Sequence, residues 1–188
     1  MRARRYGAVL AALTMAGAGM AMAAPATAAA ATAAVVCPTG WGSLPKTAAD
    51  TDAGSLTDIR TGAHDCYDRM VFDVPTAGTD PIGYTVHYVD AFYQDPSGIR
   101  IPLSGGAIIE IRLSAPAYDP QTHTPTYPAR GGQPLPGVDL SGYRTFREAK
   151  FGASFEGVTQ VGLGVRARLP FRVSQLPGRL VVDVAHTW

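Results

Sequence analysis

Apolar and polar positions alternate with a period of two through most of the chain, and most regularly between Phe151 and Trp188. Three patterns recur there: Val161, Leu163, Val165; Leu169, Phe171, Val173; and Leu180, Val182, Val184. Period-two alternation sets one row of side chains on one face of a sheet, so these stretches are predicted to be strands. Gly152, Gly157, Pro170 and Pro177-Gly178 punctuate them as turns. Upstream, Tyr67–Val74 aligns Met70, Phe72 and Val74; Gly83–Phe92 aligns Tyr84, Val86 and Tyr88; Ala107–Leu113 aligns Ile109, Ile111 and Leu113. Ser55–Arg60 and Thr145–Ser154 have strand character too, and Pro102 gives Ile99–Leu103 that of an edge, because proline cannot donate to a ladder. No useful helix-period segment follows the N-terminal region. About eight or nine short strands separated by turn signals predict an all-β protein, an antiparallel β-sandwich.

One stretch breaks the pattern. Ser114–Gly142 holds six prolines and four glycines in 29 residues, with Tyr118, His123 and Tyr127 among them, and is predicted to be a long loop. The N-terminus breaks it differently. Arg2, Arg4 and Arg5 precede an Ala-rich apolar run and Ala-x-Ala sites near Ala28 and Ala33, the order of a secretory signal peptide. Its core is shorter than the roughly 20 apolar residues of a membrane span. Residues 1–34 are therefore predicted to be leader and processing region, 35–54 a linker-like lead-in with Trp41 and Leu44 as plugs, and 55–188 the sandwich.

Export changes the charge. Of 16 basic residues, three lie in the leader, so 13 remain against 15 acidic ones. A near-neutral chain with no basic stripe offers no footprint for nucleic acid. The two cysteines, Cys37 and Cys66, lie in the exported part, where one disulfide is predicted. A metal site is the competing reading, with only two thiols to offer it.

Motif searches leave few candidates for chemistry. Gly152-Ala153-Ser154-Phe155-Glu156-Gly157 misses the nucleophile elbow, and no phosphate loop or dinucleotide fingerprint occurs. Four histidines show no metal-ligand spacing, so neither a metal nor a cofactor is expected. The densest polar cluster runs from His64 to Arg69 and reads first as a disulfide-anchored turn. Arg166, Arg168 and Arg172 are predicted to face outward from a strand pair, because they alternate with apolar neighbours. Tyr84, Tyr88, Phe92 and Tyr93 read as core and cross-strand aromatics.

The stretches Arg60–Asp73 (RTGAHDCYDRMVFD), Gly83–Val89 (GYTVHYV), Phe155–Gln160 (FEGVTQ), Gly164–Val173 (GVRARLPFRV) and Arg179–His186 (RLVVDVAH) resemble the AMIN-like domain of secreted actinobacterial proteins. The resemblance spans roughly Trp41 to Trp188. It implies a β-sandwich, and it implies peptidoglycan as partner, because the related AMIN domain holds periplasmic amidases and secretins to that polymer. The expectation is a secreted, non-catalytic cell-wall binding module. Sandwiches present function on loops and outer faces. Arg166 and Arg168 are therefore expected to form one wall of the site by pairing with stem-peptide carboxylates, and Tyr118 or Tyr127 to stack on sugar. His64 and Arg69 mark the next surface. Two alternatives stand beside this reading: a small secreted hydrolase using Asp65, Asp68 or Glu156, and a protein-binding or inhibitor module presenting the proline-rich loop.

Overall fold

The computed structural model describes residues 36–49 and 54–188. The predicted leader, residues 1–34, lies outside them. Eleven strands follow in order: β1 (Lys46–Ala48), β2 (Asp58–Ala63), β3 (Tyr67–Asp73), β4 (Tyr84–Val89), β5 (Phe92–Gln94), β6 (Ile99–Ile101), β7 (Ala107–Leu113), β8 (Phe146–Phe155), β9 (Val158–Val165), β10 (Phe171–Leu176) and β11 (Arg179–Ala185). Among the described residues the one helical segment is the 3-10 turn Pro75–Ala77. All strand pairs are antiparallel. They form a five-stranded sheet ordered β1-β4-β7-β9-β8, a four-stranded sheet ordered β10-β11-β3-β2, and the hairpin β5-β6.

The alternation seen in sequence builds the layer between the sheets. Val86, Ile109, Ile111, Leu113, Val161 and Leu163 point inward from the larger sheet, and Ile59, Met70, Phe72, Leu180, Val182 and Phe171 from the smaller one, all in one contiguous core. Each such side chain contributes roughly 1.5–3 kcal/mol by leaving water. Residues 114–145 are ordered because they carry their own plugs: Ala115, Ala117, Tyr127 and Leu135 are buried in that same core. Isolated bridges Tyr118↔Pro125 and Pro134↔Lys150 tie the loop to itself and to β8.

The outer face of the larger sheet is roofed. Phe92 and Ile101 of the β5-β6 hairpin are buried against it. The close approach requires glycine on β9, since a Cβ at Gly162 would lie 2.6 Å from both the Phe92 ring and Leu103. Gln160 fastens the hairpin, accepting from the Asp95 amide (3.1 Å) and donating to the Tyr93 carbonyl (2.9 Å) and to Glu110 (2.7 Å). Arg112 pairs with Asp95 on the hairpin's turn.

The nine predicted strands are present, with bounds shifted by a few residues, and two short ones are added. β5 belongs to the roofing hairpin. β1 comes from the supposed linker, pairing Lys46 with Val86 and Ala48 with Tyr84. Three residues with no apolar alternation carry no strand signal; the exposed edge of β4 supplies the partner that makes them one.

Candidate functional site

Among the described residues no hairpin covers the outer face of the four-stranded sheet, and charge takes the place of apolar cover. Cross-strand register sets Arg172, Asp183, Arg69 and Gly62 in one row. Asp183 has 0% of its side chain exposed, and its carboxylate accepts from Arg69 Nε (2.7 Å) and Nη2 (2.9 Å) and from Arg172 Nε (2.8 Å). A carboxylate this buried is tolerable only with such partners, because desolvation costs several kcal/mol unless charge and hydrogen bonds compensate it. Four residues along β3, about 13 Å at strand rise, the arrangement repeats. Asp73 accepts from Arg60 Nε (2.6 Å) and Nη2 (3.0 Å) and from Arg179 Nε (2.9 Å). The hydrogen bond from Arg60, aided by that from Arg179, holds the Asp73 carboxyl below its ordinary range.

In both clamps the aspartate lies deep and the guanidinium groups lie outermost: Arg60 and Arg179 are about half exposed, and Arg69 and Arg172 less so. Among the described residues both terminal nitrogens of Arg172 and Arg179, and Nη1 of Arg60 and Arg69, have no protein acceptor, so four pinned arginines present donors to solvent. The Asp73 end opens into a shallow basin bordered by Thr57, Asp58, Pro75 and Pro177.

The other end is aromatic. The Arg172 guanidinium sits 4.5 Å from the Trp41 ring centroid and 5.5 Å from that of Tyr67; Arg69 lies 5.2 Å from Tyr67. His64 stacks on Tyr67 at 4.6 Å. Cation–aromatic contacts of this kind, worth roughly 0.5–2 kcal/mol each, hold the arginines flat against the surface. Trp41 arrives there through the lead-in. Cys37 is bonded to Cys66 across a separation of 29 residues, the Gly42 carbonyl accepts from the Phe171 amide, and Lys46 Nζ donates to the Trp41 carbonyl. On its far side Trp41 borders a cleft of about 490 Å³, shared with Pro38, the disulfide, Pro170, Thr187 and Trp188.

The residues singled out from sequence scatter. Arg69 and His64 belong to this face, joined through Tyr67. Arg166 and Arg168 do not extend from a strand: β9 ends at Val165, where its neighbours β7 and β8 also end, and Pro170 cannot continue a ladder. Arg166 instead donates to the His186 carbonyl (2.6 Å), and Arg168 lies over the Tyr88 ring (4.8 Å), both beside the cleft. Tyr118 stacks on His123 within the long loop. Tyr127 is 3% exposed, with its hydroxyl donating to the Pro136 carbonyl, so its ring is committed to the core and closed to a sugar. Burial also pushes its phenol upward.

The carboxylates of the hydrolase alternative are spoken for or apart. Asp68 is buried, accepting from the Thr145 and Phe146 amides through Oδ2 and contacting His186 Nε2 at 2.9 Å through Oδ1. Asp65 is exposed, and it is its backbone carbonyl, not its carboxylate, that faces His186 Nδ1. This dyad ties the disulfide corner to the start of β8. Glu156 sits in the β8–β9 turn. Sequence reading missed Asp73 and Asp183, although an aspartate enclosed by valines in Val181-Val182-Asp183-Val184 is a buried-charge signal in its own right.

Set against known proteins, the model of the AMIN-like domain family matches residues 54–186. No curated protein and no solved structure matches the chain.

Proposed function

Because this chain belongs to the AMIN-like domain family, we propose that it is a non-catalytic binding module of the cell envelope whose ligand is peptidoglycan. The family supports a cell-wall binding role. The observation that carries the reading is the open outer face of β10-β11-β3-β2, where the buried Asp183 and the partly buried Asp73 orient four arginines toward solvent. A pre-pinned guanidinium loses little entropy when it pairs with a stem-peptide carboxylate, and it does so through parallel hydrogen bonds. A disulfide in an AMIN-like domain belongs to an extracellular or periplasmic protein. On this reading residues 1–34 direct export and are removed, residues 35–54 lead in, and residues 55–188 are the binding domain. No helix among the described residues is long and apolar enough to cross a membrane.

Co-sedimentation with purified sacculi tests the proposal. The protein pellets with sacculi at low salt and is released as salt rises, because exposed ion pairs are screened. Arg172→Gln combined with Arg179→Gln leaves Arg69 and Arg60 on their aspartates. Losing charge-assisted bonds worth roughly 1.5–3 kcal/mol each lowers the affinity at least about tenfold. Wild-type protein that stays in the supernatant at low salt would sink the proposal.

A further inference from the structure

The cleft behind Trp41 differs in chemistry from the arginine face that it adjoins. No charged side chain lines it: its walls include the Cys37–Cys66 disulfide, Pro38, Pro170 and both tryptophans of the chain. Trp188 is 76% exposed, and its Nε1 donates to the Arg168 carbonyl at 3.1 Å. Along the opposite wall the amides of Thr39, Gly40 and Trp41 donate to no acceptor among the described residues. The volume, about 490 Å³, falls within the range of small-ligand sites, which are largely apolar with a few placed polar groups.

We infer that this cleft is a carbohydrate subsite for uncharged N-acetylated pyranose rings, with Trp188 and Trp41 as its platforms. An aromatic face suits the C–H face of a sugar, unpaired amides suit acetamido and hydroxyl oxygens, and an uncharged lining excludes an anionic group. The inference rests on the binding role proposed above and divides the work. Trp41 borders both surfaces, so a glycan strand lying in the cleft carries its pendant peptide toward Arg172. The disulfide is a positioning element, since it holds the 37–41 wall against β3 and β11.

The chain has two tryptophans and both line this cleft, so intrinsic fluorescence reports on it, with Trp41 also sensing the Arg172 stack. Titration of the purified protein with an N-acetylglucosamine tetramer is expected to give a saturable spectral shift. Trp188→Ala is expected to weaken the midpoint at least about tenfold while leaving Trp41 as reporter. Thiol reduction, with far-UV circular dichroism confirming an intact sandwich, is expected to weaken it similarly. No saturable shift in the wild type, or the same midpoint in Trp188→Ala, overturns the inference. Sacculus binding is scored separately: a tetramer response without sacculus binding refutes the envelope reading alone, and sacculus binding without a tetramer response refutes the subsite alone.

Discussion

The two sheets of this sandwich share one core but treat their outer faces in opposite ways. The five-stranded sheet hides its face beneath the β5-β6 hairpin, using Gly162 to let the Phe92 ring lie flat on the strands and Gln160 to tie the hairpin down. The four-stranded sheet leaves its face open and stabilises it with Arg172–Asp183–Arg69 and Arg60–Asp73–Arg179. Apolar cover is stable but unavailable to a ligand. Clamped charge is available, and its arginines are already ordered. On the binding role proposed above, the open face is the one a polymer would meet.

The comparison is broken most directly at Asp183. Asp183→Ala strips two arginines of a fully buried acceptor and is expected to cost about 3–5 kcal/mol, read as a lower denaturation midpoint; a loss under about 1 kcal/mol would show that the open face does not depend on its clamp. Replacing both Cys37 and Cys66 by Ala releases the segment that carries Trp41 to that face. Opening a loop of this size is expected to cost roughly 3–4 kcal/mol, and the cation–aromatic stack on Trp41 should disappear from its fluorescence while the strand spectrum persists. An unchanged Trp41 environment would mean that the Gly42–Phe171 contact suffices.

On the roofed face, Gly162→Ala is expected to cost about 1–3 kcal/mol through overpacking. Hydrogen exchange should quicken in 92–101 and not in β3 or β11; uniform quickening would deny the hairpin its separate standing. The smallest effect belongs to Asp73. Its carboxyl is depressed, so its pairing stabilises the fold above the ordinary carboxylate range and that share is lost as pH falls through the lowered value. Because both partners are about half exposed, the share is about 1 kcal/mol or less. Asp73→Asn should flatten this part of the acid limb of stability against pH, and an identical limb in wild type and variant would assign the dependence to another group.

The arginine face shows how far a linear reading reaches. Arg69 and His64 were visible as a cluster because they lie within a few residues of each other. The partner that gives Arg69 its role, Asp183, is 114 positions away and carried no local mark except its valine neighbours. Arg166 and Arg168 lie beyond β9 for a related reason: alternation with Val165, Ala167 and Leu169 continues in the sequence past the ladders that would sustain a strand, which stop at Ala107 and Phe146. Tyr127 looked available because it sits in a proline-rich loop. A long loop in a compact fold needs buried anchors, however, and this tyrosine is one of them.

By itself the sequence determined the fold class, the strands of strong alternation, and the disulfide as the expected cysteine state. Each depends on side-chain period or composition, properties of neighbouring residues. Tertiary structure alone decided which outer face is roofed and which is bare, which aspartate each arginine reaches, and how the lead-in brings Trp41 beside Arg172 and Trp188 beside the disulfide. These depend on strand order and cross-strand register. Register joins residues of distant segments, so their chemistry exists only once the sheets have formed.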